Sequence, residues 1–189
     1  MAEIGKDRPF YENSGGGVTF SGGEPVLQKD FLLAALKACV VAGFHTVVET
    51  AGHVPFEFLM AIVPYTSLFL YDLKVMDDPT HRRATGSGNA RILDNLKKLS
   101  ETGVPVRIRI PVIPGVNNTK ENMTAVWNTV KGMTNVERVE LIPFHQMARD
   151  KYESLDLVYD IDDIPVIDKT ELDQWAAFFT ARGVTAIVT

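Results

Sequence analysis

A regular alternation of short β-branched runs with amphipathic helical runs constrains this chain more than any other feature. Strand-like runs fall at Gly17–Phe20, His45–Glu49, Leu68–Leu73, Val104–Val112, Val136–Pro143 and, more weakly, Val184–Val188. Between them apolar residues recur at helical spacing. Phe31, Leu32, Ala35, Leu36, Cys39 and Val40 form one such stripe and stop at Gly43. Ile92, Leu93, Leu96 and Leu99 form another, behind Asn89 and ahead of Gly103. Met123, Val126, Trp127 and Val130 follow Thr119, and Leu172, Trp175, Ala176 and Phe179 follow Asp168. Both of those starts are helix-cap residues, and Glu171 stands where a capping box needs an acid. A shorter helix is expected at Pro55–Val63. Strands alternating with helices make crossover units, and repeated crossovers make a parallel sheet.

The length, 189 residues, suits one domain with a real core. The segment Met1–Gly16 reads as a lead-in to the first strand rather than a domain, and 146–167 as an ordered loop or lid. The net charge is −5, with no long basic run, which argues against nucleic acid or an anionic membrane as partner. No stretch approaches the roughly 20 apolar residues that span a bilayer, and the N-terminus has no signal-peptide pattern. There is one cysteine, Cys39, in the middle of a helical stripe. It fits a reducing compartment, the cytoplasm, and is expected to be core packing.

Polar residues concentrate where the strand-like runs end. The first run leads into Ser21-Gly22-Gly23-Glu24-Pro25, the second into Glu49-Thr50, and the third into Asp72 and Lys74. The fourth carries Arg107 and Arg109, and the fifth ends near His145. In a parallel α/β barrel such ends converge on one mouth, where barrel enzymes place their active sites. Each feature alone has a plainer reading. The glycines could be tight turns, Asp72 and Lys74 a salt bridge, and His145 a satisfied structural histidine. The glycine run is not a P-loop, because no Gly-Lys-Ser/Thr follows. Arg107 and Arg109 share one strand face, and an arginine pointing into a barrel needs a carboxylate or a ligand.

Together these residues resemble a known family. Val18-Thr19-Phe20-Ser21-Gly22-Gly23-Glu24-Pro25 looks like the SAM-binding "GGE" motif of radical S-adenosylmethionine (SAM) proteins. In this extended form it resembles the motif of glycyl radical enzyme activases, the pyruvate formate-lyase activating enzyme group. The group's later motifs are matched in order by Glu49-Thr50-Ala51-Gly52, Tyr71-Asp72-Leu73-Lys74, Arg109-Ile110-Pro111-Val112-Ile113-Pro114-Gly115 and Leu141-Ile142-Pro143-Phe144-His145. The resemblance implies an α/β fold, a partial (βα)6 TIM-like barrel of the radical SAM type lacking its first βα unit. It also implies that Gly22, Gly23 and Glu24 hold the methionine amino group of SAM, with Ser21 beside them among the cofactor-binding residues. Lys74 and Arg109 would meet its carboxylate, and His145 would lie near the adenosine. Glu49, Thr50 and Asp72 match positions that can hold a monovalent cation, with Glu49 where the group more often has aspartate.

The family reaction needs a [4Fe–4S] cluster, which delivers one electron to SAM. The resulting 5′-deoxyadenosyl radical takes a hydrogen from a glycine of a partner glycyl radical enzyme. A flavodoxin or ferredoxin-type electron donor serves the full-length parent. The cluster ligands are three cysteines at CxxxCxxC spacing, and thiolates are what such iron binds. This sequence has no such motif. The expectation is therefore a shortened form, or a start at an internal Met1, in which this chain alone does not cleave SAM. A non-catalytic module that binds SAM or the partner is the alternative. An aldolase-like barrel using Lys74 as a Schiff-base amine is disfavoured, because Asp72 would keep that amine charged.

Overall fold

The computed structural model describes residues 1–144, 165 and 167–189. Strands β1 (Gly17–Phe20), β2 (His45–Thr50), β3 (Leu68–Asp72), β4 (Val106–Val112), β5 (Val136–Pro143) and β6 (Ala186–Val188) form one sheet in that spatial order. Every neighbouring pair is parallel. Helices α1 (Ala2–Lys6) and α2 (Arg8–Ser14) precede β1. Helices α3 (Lys29–Val41), α4 (Phe56–Ile62), α5 (Asp78–Thr85), α6 (Ala90–Ser100), α7 (Lys120–Val130) and α8 (Lys169–Thr180) lie between strands. Sequential order with a helix in each connection is what right-handed crossovers give, and it makes the chain an α/β partial TIM-like barrel.

Period-2 alternation sorts the strand residues onto two faces. In β4, Val106, Ile108, Ile110 and Val112 are fully buried, while Arg107, Arg109 and Pro111 between them are half-buried. Phe69 and Tyr71 of β3, Val48 of β2, and Val139 and Leu141 of β5 join the buried set. They pack on Leu32 and Leu36 of α3, Leu59 and Ile62 of α4, Leu96 and Leu99 of α6, Met123 and Val126 of α7, and Phe179 of α8. The other face, left open by the described helices, carries Glu49, Leu70, Asp72, Arg107, Arg109, Arg138 and Glu140, which the strand pairing places side by side.

The caps work as the sequence suggests, with one exception. Thr119 accepts from Asn122 N at 3.2 Å and Asp168 from Thr170 N at 2.7 Å. Glu171 does not reach back to complete a capping box. Its carboxylate instead accepts from Asn118 Nδ2 at 2.7 Å, which ties α8 to the loop after β4. Two further stretches contain helices that no apolar stripe marks in the sequence. The lead-in segment is a pair of short helices whose Ile4 and Tyr11 pack against Val18, Cys39 and Phe44. The polar stretch after β3 contains α5, capped by Asp77 accepting from Thr80 N at 2.9 Å. Among the described residues, no helix is long and apolar enough to cross a membrane. The expected lid at 146–167 lies almost wholly outside the described residues.

Candidate functional site at the strand ends

The loop after β1 turns at Ser21-Gly22-Gly23. Gly22 and Gly23 take φ of +87° and +50°, a left-handed backbone that disfavours any side chain. A Cβ at either would meet nothing within 4 Å, so the turn is a bare ledge with its backbone groups accessible. Glu24 closes the ledge. Its Oε1 accepts from Thr50 Oγ1 at 2.7 Å and Val26 N at 3.3 Å, and its Oε2 accepts from Ala51 N at 3.0 Å. Both oxygens thus tie the ledge to the end of β2. Acceptor capacity toward a ligand is left to their second lone pairs and to the ledge carbonyls.

Glu49, on the open face of β2, accepts from Ser21 Oγ at 2.7 Å through Oε2 and pairs with Arg109 Nη1 through Oε1. Arg109 therefore reaches past β3 to β2, forming a strap from the β1 loop to β4. Asp72 lies opposite Arg109 in the register and beneath this strap. It receives no hydrogen bond and no ion pair from any described residue. Burial pushes its carboxyl up to about 6; Lys74 and then Arg109 pull it back down, while Glu49 and Glu24 push it up.

The segment after β3 that carries Lys74 is held by asparagine side chains from three other places. Asn117 Nδ2 donates to the carbonyls of Lys74 and Pro111, and its Oδ1 accepts from Ile113 N at 2.7 Å. Asn122 Oδ1 accepts from Met76 N at 2.8 Å. Asn89 Nδ2 donates to Val75 O and Met76 O at 3.1 and 2.8 Å. The β2 loop is bracketed in the same way by Asn95 Nδ2, which donates to Gly52 O and Val54 O at 2.7 Å each. Sequence reasoning missed all four as positioning residues. In the sequence the Asn117-Asn118 pair after Gly115 has the composition of an ordinary turn and carries no signal of this role.

Ser21, Gly22, Gly23, Glu24, Glu49, Asp72, Lys74 and Arg109 thus gather at the C-terminal ends of β1 to β4. Thr50 does not join them as a side chain on the open face. It pairs with Tyr71 and is buried, and its Oγ1 donates to Glu24 and accepts from Gly52 N at 2.9 Å. Of the three positions matched to a monovalent cation, Glu49 and Asp72 share the open face, while Thr50, the strand residue after Glu49, turns its side chain to the other. Arg107 pairs with Glu137 at 2.8 Å, the carboxylate contact its position demanded. His145 lies outside the described residues.

The donor set suits a small zwitterion. Lys74 and Arg109 can meet a carboxylate, the ledge and Glu24 an amine, and Asp72 a further positive charge. It does not suit an iron–sulfur cluster. Cys39 is the one thiol of the sequence, and it is fully buried between Val18 and Phe44 on the covered face. No described group of three or more His, Cys, Asp or Glu could hold a metal ion.

The radical SAM superfamily model matches residues 5–125. A pyruvate formate-lyase-activating enzyme of Clostridium pasteurianum is 42% identical over 162 residues, covering 86% of this chain and 68% of the relative. The (2S)-3-sulfopropanediol dehydratase activating enzyme of Klebsiella oxytoca is 35% identical, covering all of this chain and 61% of the relative. Among solved structures, a domain of pyruvate-formate lyase-activating enzyme from Bacteroides vulgatus superposes with a TM-score of 0.78 at 30% identity, over 92% of this chain and 99% of that one. The chain belongs to the radical SAM superfamily and, within it, to the activating enzymes of glycyl radical enzymes. It spans between three-fifths and about two-thirds of the length of those two curated relatives.

Proposed function

We propose that this chain is the SAM-binding barrel of an activating enzyme for a glycyl radical enzyme of the pyruvate formate-lyase kind. The observation that carries the reading is the convergence of a bare glycine ledge and Glu24 after β1 with Lys74 after β3 and Arg109 within β4. Bound SAM supplies the 5′-deoxyadenosyl group that the activating reaction consumes. The chain's own part is to bind and orient it. Lys74 and Arg109 take the carboxylate, the ledge of Gly22 and Gly23 with Glu24 takes the amine, and the family resemblance alone assigns His145 to the adenosine. A flavodoxin- or ferredoxin-type donor and a glycyl radical enzyme are the companions of the longer protein under this reading. The relatives include activators of a lyase and of a dehydratase, which supports a partner of that class without choosing among its members.

Titration calorimetry of SAM into the full chain tests the reading. Binding is expected, and Lys74→Ala and Arg109→Ala should each weaken it by about tenfold, the loss of one charge-assisted contact. Heat-silent titrations of the wild type across millimolar SAM would sink it. The same chain should take up no stoichiometric iron and sulfide on anaerobic reconstitution, since Cys39 is its one thiol. Recovery of roughly four irons per chain would overturn that part.

A further inference from the structure

Helix α3 has two apolar sides. Leu32, Leu36 and Cys39 are fully buried against the sheet. Phe31 is next to Leu32 in sequence, yet it is 69% exposed. On that outer side it falls in line with Leu27, in the turn before the helix, and with Ala34, Ala38 and Val41, at steps of four and three residues. Such steps make a seam along one side of a helix. Leu27 is also 69% exposed and Val41 89%, so large apolar groups stand at both ends of the seam and alanines at its middle. Leu27 and Phe31 line a hollow together with Phe58 of α4. A continuous exposed stripe of this kind marks a contact surface, where scattered apolar residues would not. The charges beside it are also ordered. Asp30 and Lys37 are exposed on one flank of the seam, two helical turns apart. Neither makes an ion pair with a described residue.

We propose that α3 is the seat of a symmetric homodimer, its outer face packed antiparallel on the same face of a second copy about a twofold axis at Ala34. A twofold contact must be self-complementary, and this face is. Reversing the helix about Ala34 sets position 41 of one copy opposite position 27 of the other. Val41 then enters the hollow formed by Leu27, Phe31 and Phe58. The same operation brings Asp30 beside Lys37 of the partner subunit, and Lys37 beside the partner's Asp30. One arrangement thus makes two opposite-charge contacts. A parallel pairing would instead set like charge against like at both positions, which is unfavourable. The alanines at the axis let the two helices approach closely. Because the seam faces away from the sheet, the strand-end site stays open in both copies, and the dimer does not depend on what that site binds.

Sedimentation velocity of the full chain over a concentration series tests the proposal. A monomer–dimer equilibrium with a dissociation constant of about 10 μM is expected, since one helix per copy makes a small interface. Phe31→Glu should weaken the dimer by about 100-fold and leave the melting temperature unchanged, because Phe31 is exposed in the monomer. Asp30→Lys should weaken it by about tenfold, and adding Lys37→Asp should restore the wild-type constant to within about threefold. Should Phe31→Glu fail to fold, the charge variants decide. At the axis, Ala34→Cys should yield a disulfide-linked dimer on mild oxidation, with the buried Cys39 silent. A wild type still monomeric at about 100 μM, tenfold above the expected constant, would overturn the proposal and give the seam to a different partner. A dimer that persists in Phe31→Glu, or an Asp30→Lys loss that Lys37→Asp does not restore, would overturn it as well.

Discussion

Along β4, Val106, Ile108, Ile110 and Val112 are sealed under the helices, while Arg107 and Arg109, one residue away in each case, stand half-buried on the open face. On β3 the same step separates Tyr71, fully buried, from Asp72. The strands are common to both faces, and only the parity of the residue number differs. The covered face obeys the rule of apolar transfer and tight packing. The open face is built from charges in partial water, where pairs contribute little to stability but orient groups for a ligand. Stability and chemistry are thus encoded in alternate letters of the same strands.

Substitutions can break that division or sharpen it. The largest effect should come from Phe69→Ala on the covered face, which opens a cavity costing about 3–5 kcal/mol in a urea melt. A cost under about 1 kcal/mol would deny that this face is the core. Next, Asp72→Asn should change the pH dependence of stability. The folded carboxyl titrates at about 6, above the unfolded value of about 3.9. The folded state therefore holds the proton more tightly, and wild-type stability falls as pH rises from about 4 to about 6 and is flat above. The variant has no proton to lose there and should gain up to about 2 kcal/mol over wild type at pH 7. Parallel stability curves for the two proteins would contradict the partial burial of Asp72.

Smaller still, Tyr71→Phe removes the bond from Tyr71 Oη to Ile92 O at 2.7 Å and should cost about 1 kcal/mol. Smallest should be the coupling of Arg109 and Glu49. A double-mutant cycle is expected to give about 1 kcal/mol or less, since both side chains keep about a quarter of their surface in solvent. A coupling of several kcal/mol would mean that the strap belongs to the fold rather than to the site.

The framework was legible because both periodicities are strong. The expected strand Val136–Pro143 has the observed bounds, and the four main helical stripes all form helices. What hid from the sequence hid for physical reasons. Helix α5 buries only His81 and so has no apolar stripe, although Asp77 and Pro79 were start signals in plain view. Helices α1 and α2 contain no fully buried residue and turn inward only through Ile4 and Tyr11, too few to make a stripe. Thr50 was grouped with Glu49 by motif, where strand alternation alone would have separated them. The engaged state of Glu24 could not be read, because it depends on Ala51 and Thr50 arriving from β2. Charge type was therefore readable from the chain, whereas which charge is already spent was not.

The asparagine brackets have a consequence of their own. Asn89, Asn117 and Asn122 fix the backbone from Lys74 to Met76 before anything binds, so that stretch has little freedom left to lose. The ordering is done while the protein folds, and an incoming molecule meets a lysine whose anchor point is already set. Trimming one of these amides would therefore slow capture and hasten release without removing a single atom that touches the guest.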